Sequence, residues 1–200
     1  MCQETKFTAK PAGLLVYHNT FISEHTMRDP HSNTHFRNNL FLGRDAPGRP
    51  VAVFAQATAY SSNDYNGFRP NPQSKESYVY LAPADPLKPE YEPGKQAWRG
   101  FATLEEFRRA TGREAHGVEV EYGDFENVKA PDAGARHAVY HAGDMDFRLK
   151  AGSRAVDAGV RLPTVNDGFA GRAPDLGALE SGRPVPVYGP RPGATQPFYR

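Results

Sequence analysis

Residues 16–43 read VYHNTFISEHTMRDPHSNTHFRNNLFLG, and the segment aligns with itself. Val16-Tyr17-His18-Asn19-Thr20-Phe21-Ile22-Ser23 matches Phe36-Arg37-Asn38-Asn39-Leu40-Phe41-Leu42-Gly43 at an offset of 20. A third copy, Asn63-Asp64-Tyr65-Asn66-Gly67-Phe68, follows after a further 27 residues. All three carry Asn-x-Phe, as Asn19/Phe21, Asn39/Phe41 and Asn66/Phe68. The seven extra residues fit the polar, turn-rich stretch 44–50, RDAPGRP, where an insertion costs little.

A period in the low twenties, with short apolar runs and a fixed Asn, fits coils that bury their apolar side chains only against the coils above and below. Equivalent residues then lie about 4.8 Å apart. A repeated Asn at a turn can hydrogen-bond along such a stack, and the repeated Phe can form an inward aromatic column.

Composition agrees with an all-β reading. The 200 residues include 19 Gly and 18 Pro, with 12% aromatic and 38% hydrophobic residues, which predicts many turns, short strands and few helices. The net charge of +1, with basic residues dispersed, gives no reason to expect nucleic acid as a partner. No window approaches the roughly 18 apolar residues of a membrane span, so no membrane partner is expected. Cys2 is the single cysteine, which rules out an internal disulfide. The first residues, MCQETKFTAKPAG, lack the apolar core of a secretory signal.

Further along, residues 69–100 break the repeat with Pro and charge, apart from a β-like run at 78–81. In 103-TLEEFRRATG-112, Thr103 and Glu106 form a capping box and Gly112 supplies a stop. This predicts a short helix over 103–111, with Leu104 and Phe107 facing inward. Strand-like pieces resume at 117–122 and 138–140. The expected organisation is β-rungs over 1–72, a loop excursion with the helix over 73–116, and last strands with a Gly/Asp-rich closing segment over 117–182. A Pro-rich, extended tail occupies 183–200.

The NTF, NNLF and DYNGF rungs, the segment FATLEEFRRATGREAHG, and GSRAVDAG…NDGFAGRAPDLGALESG…YGPR together resemble the C-terminal part of bacterial right-handed parallel β-helix proteins of the pectate-lyase-like superfamily. In that group the last segment reads close to "GSPAIDAG…D..G..R…DIGA.E", which here occupies 152–159 and 167–180, with Arg154 in place of Pro. The resemblance runs from about residue 14 to 191. It implies the terminal rungs of a right-handed parallel β-helix with one short helix in a loop excursion, continuous with upstream rungs in a longer chain. It also implies a secreted or periplasmic parent acting on polysaccharide, as a polysaccharide lyase or a glycoside hydrolase-like enzyme whose main catalytic residues lie upstream. The alternative is a non-catalytic solenoid module for carbohydrate binding or surface adhesion.

Candidate site residues follow from the repeat frame. If Asn19 and Phe21 point inward, alternation puts Tyr17, Arg37 and Asp64 in one outward column. On the implied fold polysaccharide lies along such a face, so Arg37 could neutralise a uronate while Tyr17, Tyr65 and His35 contact sugar. His18, Arg37 and Asp64 are the candidate catalytic groups, because lyase chemistry needs a base and a cation. The plainer reading is a structural role for His18 at the turn and an Arg37–Asp64 ion pair worth about 0–1 kcal/mol. Asp64 has no partner for a two-carboxylate hydrolysis in these rungs.

His25, His31 and His35, at intervals of six and four, do not match a helical metal motif, and 29-DPHSN-33 reads as a turn carrying solvated histidines. No metal site is assigned. Asp144 and Asp146 would share a strand face and could bind Ca²⁺, but the calcium-loop pattern is missing, so the cofactor is unknown. Asp157, Asp167, Asp175 and Glu180 read as turn formers in the closing segment. Ser153 and Cys2 have no base in an identifiable arrangement.

Overall fold

The computed structural model describes residues 13–56, 60–83, 96–135 and 137–186. The expected tail beyond 186, Cys2 and residues 84–95 of the expected excursion lie outside the described residues. What is described is mostly strand, with few helices.

The strands come in threes. The first circuit is β1 (Leu15–Tyr17), β2 (Thr20–Phe21) and β3 (His25–His31). The second is β4 (His35–Arg37), β5 (Leu40–Phe41) and β6 (Ala52–Gln56). The third is β7 (Ser62–Asp64), β8 (Gly67–Phe68) and β9 (Tyr78–Pro83). Each strand pairs in parallel with its equivalent in the next circuit, giving the orders β1-β4-β7, β2-β5-β8 and β3-β6-β9. Register follows the sequence repeat: Phe21 pairs with Phe41 at an offset of 20, and Phe41 with Phe68 at an offset of 27. His25 pairs with Ala52, so the seven added residues fall between β5 and β6.

The chain then adds β10 (Gln96–Phe101), antiparallel to β9. Helix α1 (Leu104–Thr111) follows, with Thr103 as its N-cap, a complete capping box with Glu106, and Gly112 at φ +66° ending it. β11 (Val118–Glu119) returns to pair in parallel with β8. β12 (Phe125–Asn127) and β13 (Asp146–Leu149) form an antiparallel pair.

Two clusters hold these layers. Inside the three sheets the rings of Phe21, Phe41 and Phe68 stack at centroid separations of 5.0 and 5.1 Å, nearly parallel. Phe36, Phe54 and Tyr78 pack edge-on around them, and Phe107 of α1 seals the group against Phe54 and Tyr78. Each fully buried Phe contributes about 1.5–3 kcal/mol, and ring geometry adds about 0.5–1.5 kcal/mol per pair. A second cluster, with Leu40, Leu42, Val120, Phe125, Leu149 and Leu176, lies between the sheet of β2, β5, β8 and β11 and the closing segment. Gly177 is required there: its φ is +91°, and a Cβ would lie 2.7 Å from both Leu40 Cδ1 and Thr20 Oγ1.

The corner between the first two sheets explains the fixed Asn. His18, Asn38 and Tyr65 occupy the same corner position in successive circuits, with φ of +53°, +57° and +56°. The next residue is the repeated Asn, and its amide points at the neighbouring circuit. Asn19 N and Nδ2 donate to Asn39 Oδ1 at 3.0 and 3.1 Å. Asn39 N and Nδ2 donate to Asn66 Oδ1 at 3.0 and 2.9 Å. Asn39 Nδ2 also reaches Val16 O at 2.8 Å, and Asn66 Nδ2 reaches Phe36 O at 3.3 Å. Every buried corner donor is therefore matched without a regular strand ladder.

Several expectations change. Residues 25–31 form β3 rather than a turn with solvated histidines. The backbone pairs with β6 at His25, Thr26, Met27 and His31, the register shifting across the Asp-Pro pair between them, and the His25 ring sits among Phe21, Phe36, Phe41 and Phe54. The expected excursion over 73–116 contributes β9 to the third circuit and adds β10. Residues 138–140 form no strand, with Val139 79% exposed and no strand among the described residues paired to it. Asp144 closes a 3-10 turn and Asp146 starts β13, so the two do not share a strand face.

The ladder yields a graded expectation. Asn39→Ala, at a fully buried position, orphans the backbone amide of Asn19 and removes the side-chain donor to Asn66 Oδ1, which keeps only the backbone N–H of residue 39, and it is expected to cost about 3 kcal/mol. Asn19→Ala, at the exposed end, is expected to cost about 1 kcal/mol. Chemical denaturation of the two variants against the parent measures both.

Candidate functional site

Strands β1, β4 and β7 place Tyr17, Arg37 and Asp64 opposite one another, as partners across two parallel pairings. All three side chains are half-buried on the outward side of that sheet, while Val16, Phe36 and Asn63 between them face inward. The outward column therefore exists, but its members bond differently from the expected Arg37–Asp64 pair.

Arg37 Nη1 donates to Phe36 O at 2.7 Å and Ser62 O at 3.2 Å, and Nη2 donates to Ser62 Oγ at 2.8 Å. Three of its five N–H donors are thus held by the protein. Asp64 turns instead to His116, from the segment after α1. Asp64 Oδ1 accepts the backbone N–H groups of Tyr65 and His116 at 2.9 and 2.8 Å, and Oδ2 accepts from His116 Nδ1 at 2.9 Å. Burial raises the Asp64 pKa, but these hydrogen bonds outweigh it and hold the carboxyl below its ordinary value.

The His116 ring fixed in this way stacks on Tyr65, with centroids 4.3 Å apart and planes 10° from parallel. Tyr65 keeps the left-handed corner conformation, which a bulky non-Gly residue adopts at a cost of about 1–2 kcal/mol. Asn at the equivalent position 38 fills the corner more easily. The tyrosine ring is thus held at the side of the column at some expense of stability.

His35, the first residue of β4, lies opposite Ser62. Its Nδ1 is 2.7 Å from Ser62 Oγ and its Nε2 is 2.9 Å from Asn33 Oδ1. Burial, together with the charges of Arg37 and Arg113, lowers its pKa. Ser62, Asn33 and His116 were not singled out by the sequence. The 27-residue offset alone places His35 opposite Ser62; nothing local announces His116, which comes from beyond the helix.

His18 belongs elsewhere, and this corrects its place among the catalytic candidates. Its Nδ1 is 3.2 Å from Gly177 O, an acceptor, so that nitrogen carries the proton. Its Nε2 then accepts from Asn38 Nδ2 at 3.0 Å and Asn166 Nδ2 at 2.8 Å. Both nitrogens are engaged, and burial lowers the pKa. The imidazole ties the corner to the closing segment and has no lone pair left for a substrate proton. The carboxylates of that segment also hold backbone: Asp157 accepts from Arg172 and Ala173, Asp175 from Asp157 and Ser181, and Glu180 from Ala170 and Asp175.

Behind the column, the asparagine ladder ends on Glu114. Asn66 N donates to its Oε2 at 3.2 Å and Asn66 Nδ2 to its Oε1 at 2.8 Å. Glu114 is fully buried, and burial pushes its pKa up to about 8, against the two Asn66 bonds. It is sealed from the face that carries Asp64, so the two carboxyls do not make an acid–base pair for an approaching sugar. Among the described residues no cluster of three or more His, Cys, Asp or Glu could hold a metal ion. Both oxygens of Asp146 are taken by Arg148. Among the described residues no helix is long and apolar enough to cross a membrane.

No protein-family model, no curated protein and no solved structure matches this chain.

The buried titratable groups set a pH profile. Folded Glu114 holds a proton from pH 4.5 to about 8 that the unfolded chain has lost, so in that range it makes stability fall as pH rises. His25, lowered to about 4 by burial, lacks between pH 4 and 6.5 a proton that the unfolded chain binds, so there it makes stability rise with pH. His18 and His35 act in the same sense as His25. The two trends oppose each other below pH 6.5, Glu180, raised by burial, acts in the same sense as Glu114, and above pH 6.5 the histidines no longer offset Glu114. Stability is expected to peak near pH 6.5 and to fall by about 2 kcal/mol on going to pH 8. Glu114→Gln is expected to remove the alkaline fall, as measured by denaturation across that range.

Proposed function

We propose that this chain is the terminal part of a right-handed parallel β-helix of the pectate-lyase-like kind, and that the outward face of β1, β4 and β7 binds polysaccharide. The three parallel sheets, each collecting every third strand, support the coil. Crossovers between parallel strands are right-handed in about 98% of instances, which supports the hand. The observation that carries the binding reading is the register of Tyr17, Arg37 and Asp64, flanked by the Tyr65–His116 stack.

A sugar chain running across the rungs would meet one polar or aromatic group every 4.8 Å or so. The Tyr17 ring, and the face of Tyr65 away from His116, would offer flat apolar surfaces for sugar rings. Among the described residues Arg37 keeps two N–H donors beyond those used at Phe36 and Ser62, which suits a uronate carboxylate. The strain retained at Tyr65 supports a functional reason for a tyrosine there.

Glycosidic-bond cleavage is assigned to other rungs of a longer, secreted or periplasmic parent. Within this chain His18 is locked as a neutral hydrogen-bonding post, and Asp64 is committed to His116. The module therefore contributes rungs and a binding face, which favours the carbohydrate-binding alternative over lyase or hydrolase chemistry at these residues.

Affinity electrophoresis in gels containing polygalacturonate, alginate or a neutral glucan tests this. Retardation by an acidic polymer is expected, with Arg37→Ala weakening it about tenfold or more, the scale of one charge-assisted hydrogen bond. Migration unchanged in all three gels, or equal retardation of the Arg37→Ala variant, would contradict the proposal.

A further inference from the structure

We infer that Ser62, His35 and Asn33 form a nucleophilic relay that hydrolyses carboxylic esters presented on this same face. The three groups come from two adjacent circuits. His35 and Ser62 open β4 and β7 as direct register partners, and Asn33 precedes β4 with φ +52°, which turns its carboxamide back onto the ring. The order of contacts is directional. Asn33 Oδ1 can only accept, so His35 Nε2 carries the proton of their 2.9 Å bond. That tautomer leaves the Nδ1 lone pair facing Ser62 Oγ at 2.7 Å, the distance at which a base takes a hydroxyl proton.

Arg37 supplies the other half of the arrangement. Its Nη2 donates to Ser62 Oγ at 2.8 Å, and its Nη1 fixes the Ser62 carbonyl. A cation on the nucleophile favours the alkoxide, and the same guanidinium lies beside the place where an oxyanion develops. Arg113, which donates to Ser61 O, adds a second positive charge near His35. Burial and the charges of Arg37 and Arg113 lower the His35 pKa, which keeps its Nδ1 lone pair open to the Ser62 proton and makes the imidazolium a stronger acid toward the leaving alkoxide. Both His35 and Ser62 are partly exposed, so a substrate can reach them.

The reaction balances without a further reagent. Ser62 Oγ attacks the ester carbonyl as its proton passes to His35 Nδ1, and the Oγ–C bond forms. The ester C–O bond then breaks, and the leaving alkoxide takes the proton from His35. Water attacks the acyl-serine, with His35 removing its proton and returning it to Oγ, and the carboxylic acid departs. Ser62 and His35 are the catalytic residues, and Asn33 is a positioning residue. A serine triad with an Asn or Asp orienter is recognised by geometry and roles rather than by order in the chain.

Two measurements on the intact chain test this. A fluorophosphonate probe followed by peptide mass spectrometry is expected to modify wild-type protein at Ser62, and this needs no variant. Hydrolysis of p-nitrophenyl acetate is expected to drop about 100-fold or more in Ser62→Ala and His35→Ala, with their melting temperatures recorded alongside. Asn33→Ala is expected to retain labelling while shifting the pH profile of hydrolysis, because it frees the tautomer. An unlabelled Ser62 in folded wild-type protein, or hydrolysis by Ser62→Ala at the wild-type rate, would overturn the relay. A small ester needs no polysaccharide, so this outcome and the outcome of the gel experiment are independent.

Discussion

The backbone amide that follows each left-handed corner has no carbonyl in register across the circuits, and the side chain of one Asn in the next circuit satisfies it. That bond, Asn19 to Asn39 and Asn39 to Asn66, is the constraint on which the rest of the structure depends. A buried amide left unmatched costs about 1–3 kcal/mol, so each circuit holds its neighbour to one register. The polarity is fixed as well: each backbone amide of the ladder donates to the next side chain toward the C-terminal end of the stack. Such a chain must finish on an acceptor, and Glu114 supplies two oxygens where a further Asn would have supplied one.

Register fixed at the corner determines what stands on either side of it. Inward, it superposes Phe21, Phe41 and Phe68 into a column that α1 seals through Phe107. Outward, it superposes Tyr17, Arg37 and Asp64, and sets His35 against Ser62. A slip of one residue would exchange the two faces, burying Arg37 and exposing Phe36. The closing segment reads the same corner from outside. Asn38 exchanges hydrogen bonds with Val160, and Gly177 donates to Asn38 O, so the Gly/Asp-rich motif grips the ladder's own turn.

Much of this was legible in the sequence wherever the information was periodic or local. The Asn-x-Phe spacing gives the register, the surplus at 44–50 gives the site of the longer circuit, and Thr103, Glu106 and Gly112 give the helix. The outward column follows from alternation. What escaped depends on partners far away in the chain. The Asp-Pro pair at 29–30 reads as a turn, and only β6, pairing on either side of it at 25–27 and at 31, shows a strand with a register shift there; His25 looks solvated until four aromatic rings surround it. His18 looked like a base because its partner Gly177 is 159 residues away. His116 reaches Asp64 over 52 residues, across an excursion whose length no period measures. Glu114 hides as the end of the ladder because it is the one member that is not Asn.

The ladder claim is tested most directly by amide hydrogen exchange followed by nuclear magnetic resonance under native conditions. The backbone amides of Asn39 and Asn66, together with their side-chain carboxamides, are expected to be among the slowest to exchange, opening only with global unfolding. Exchange of Asn39 and Asn66 at the rate of exposed turn amides such as those near Gly48 would contradict the account.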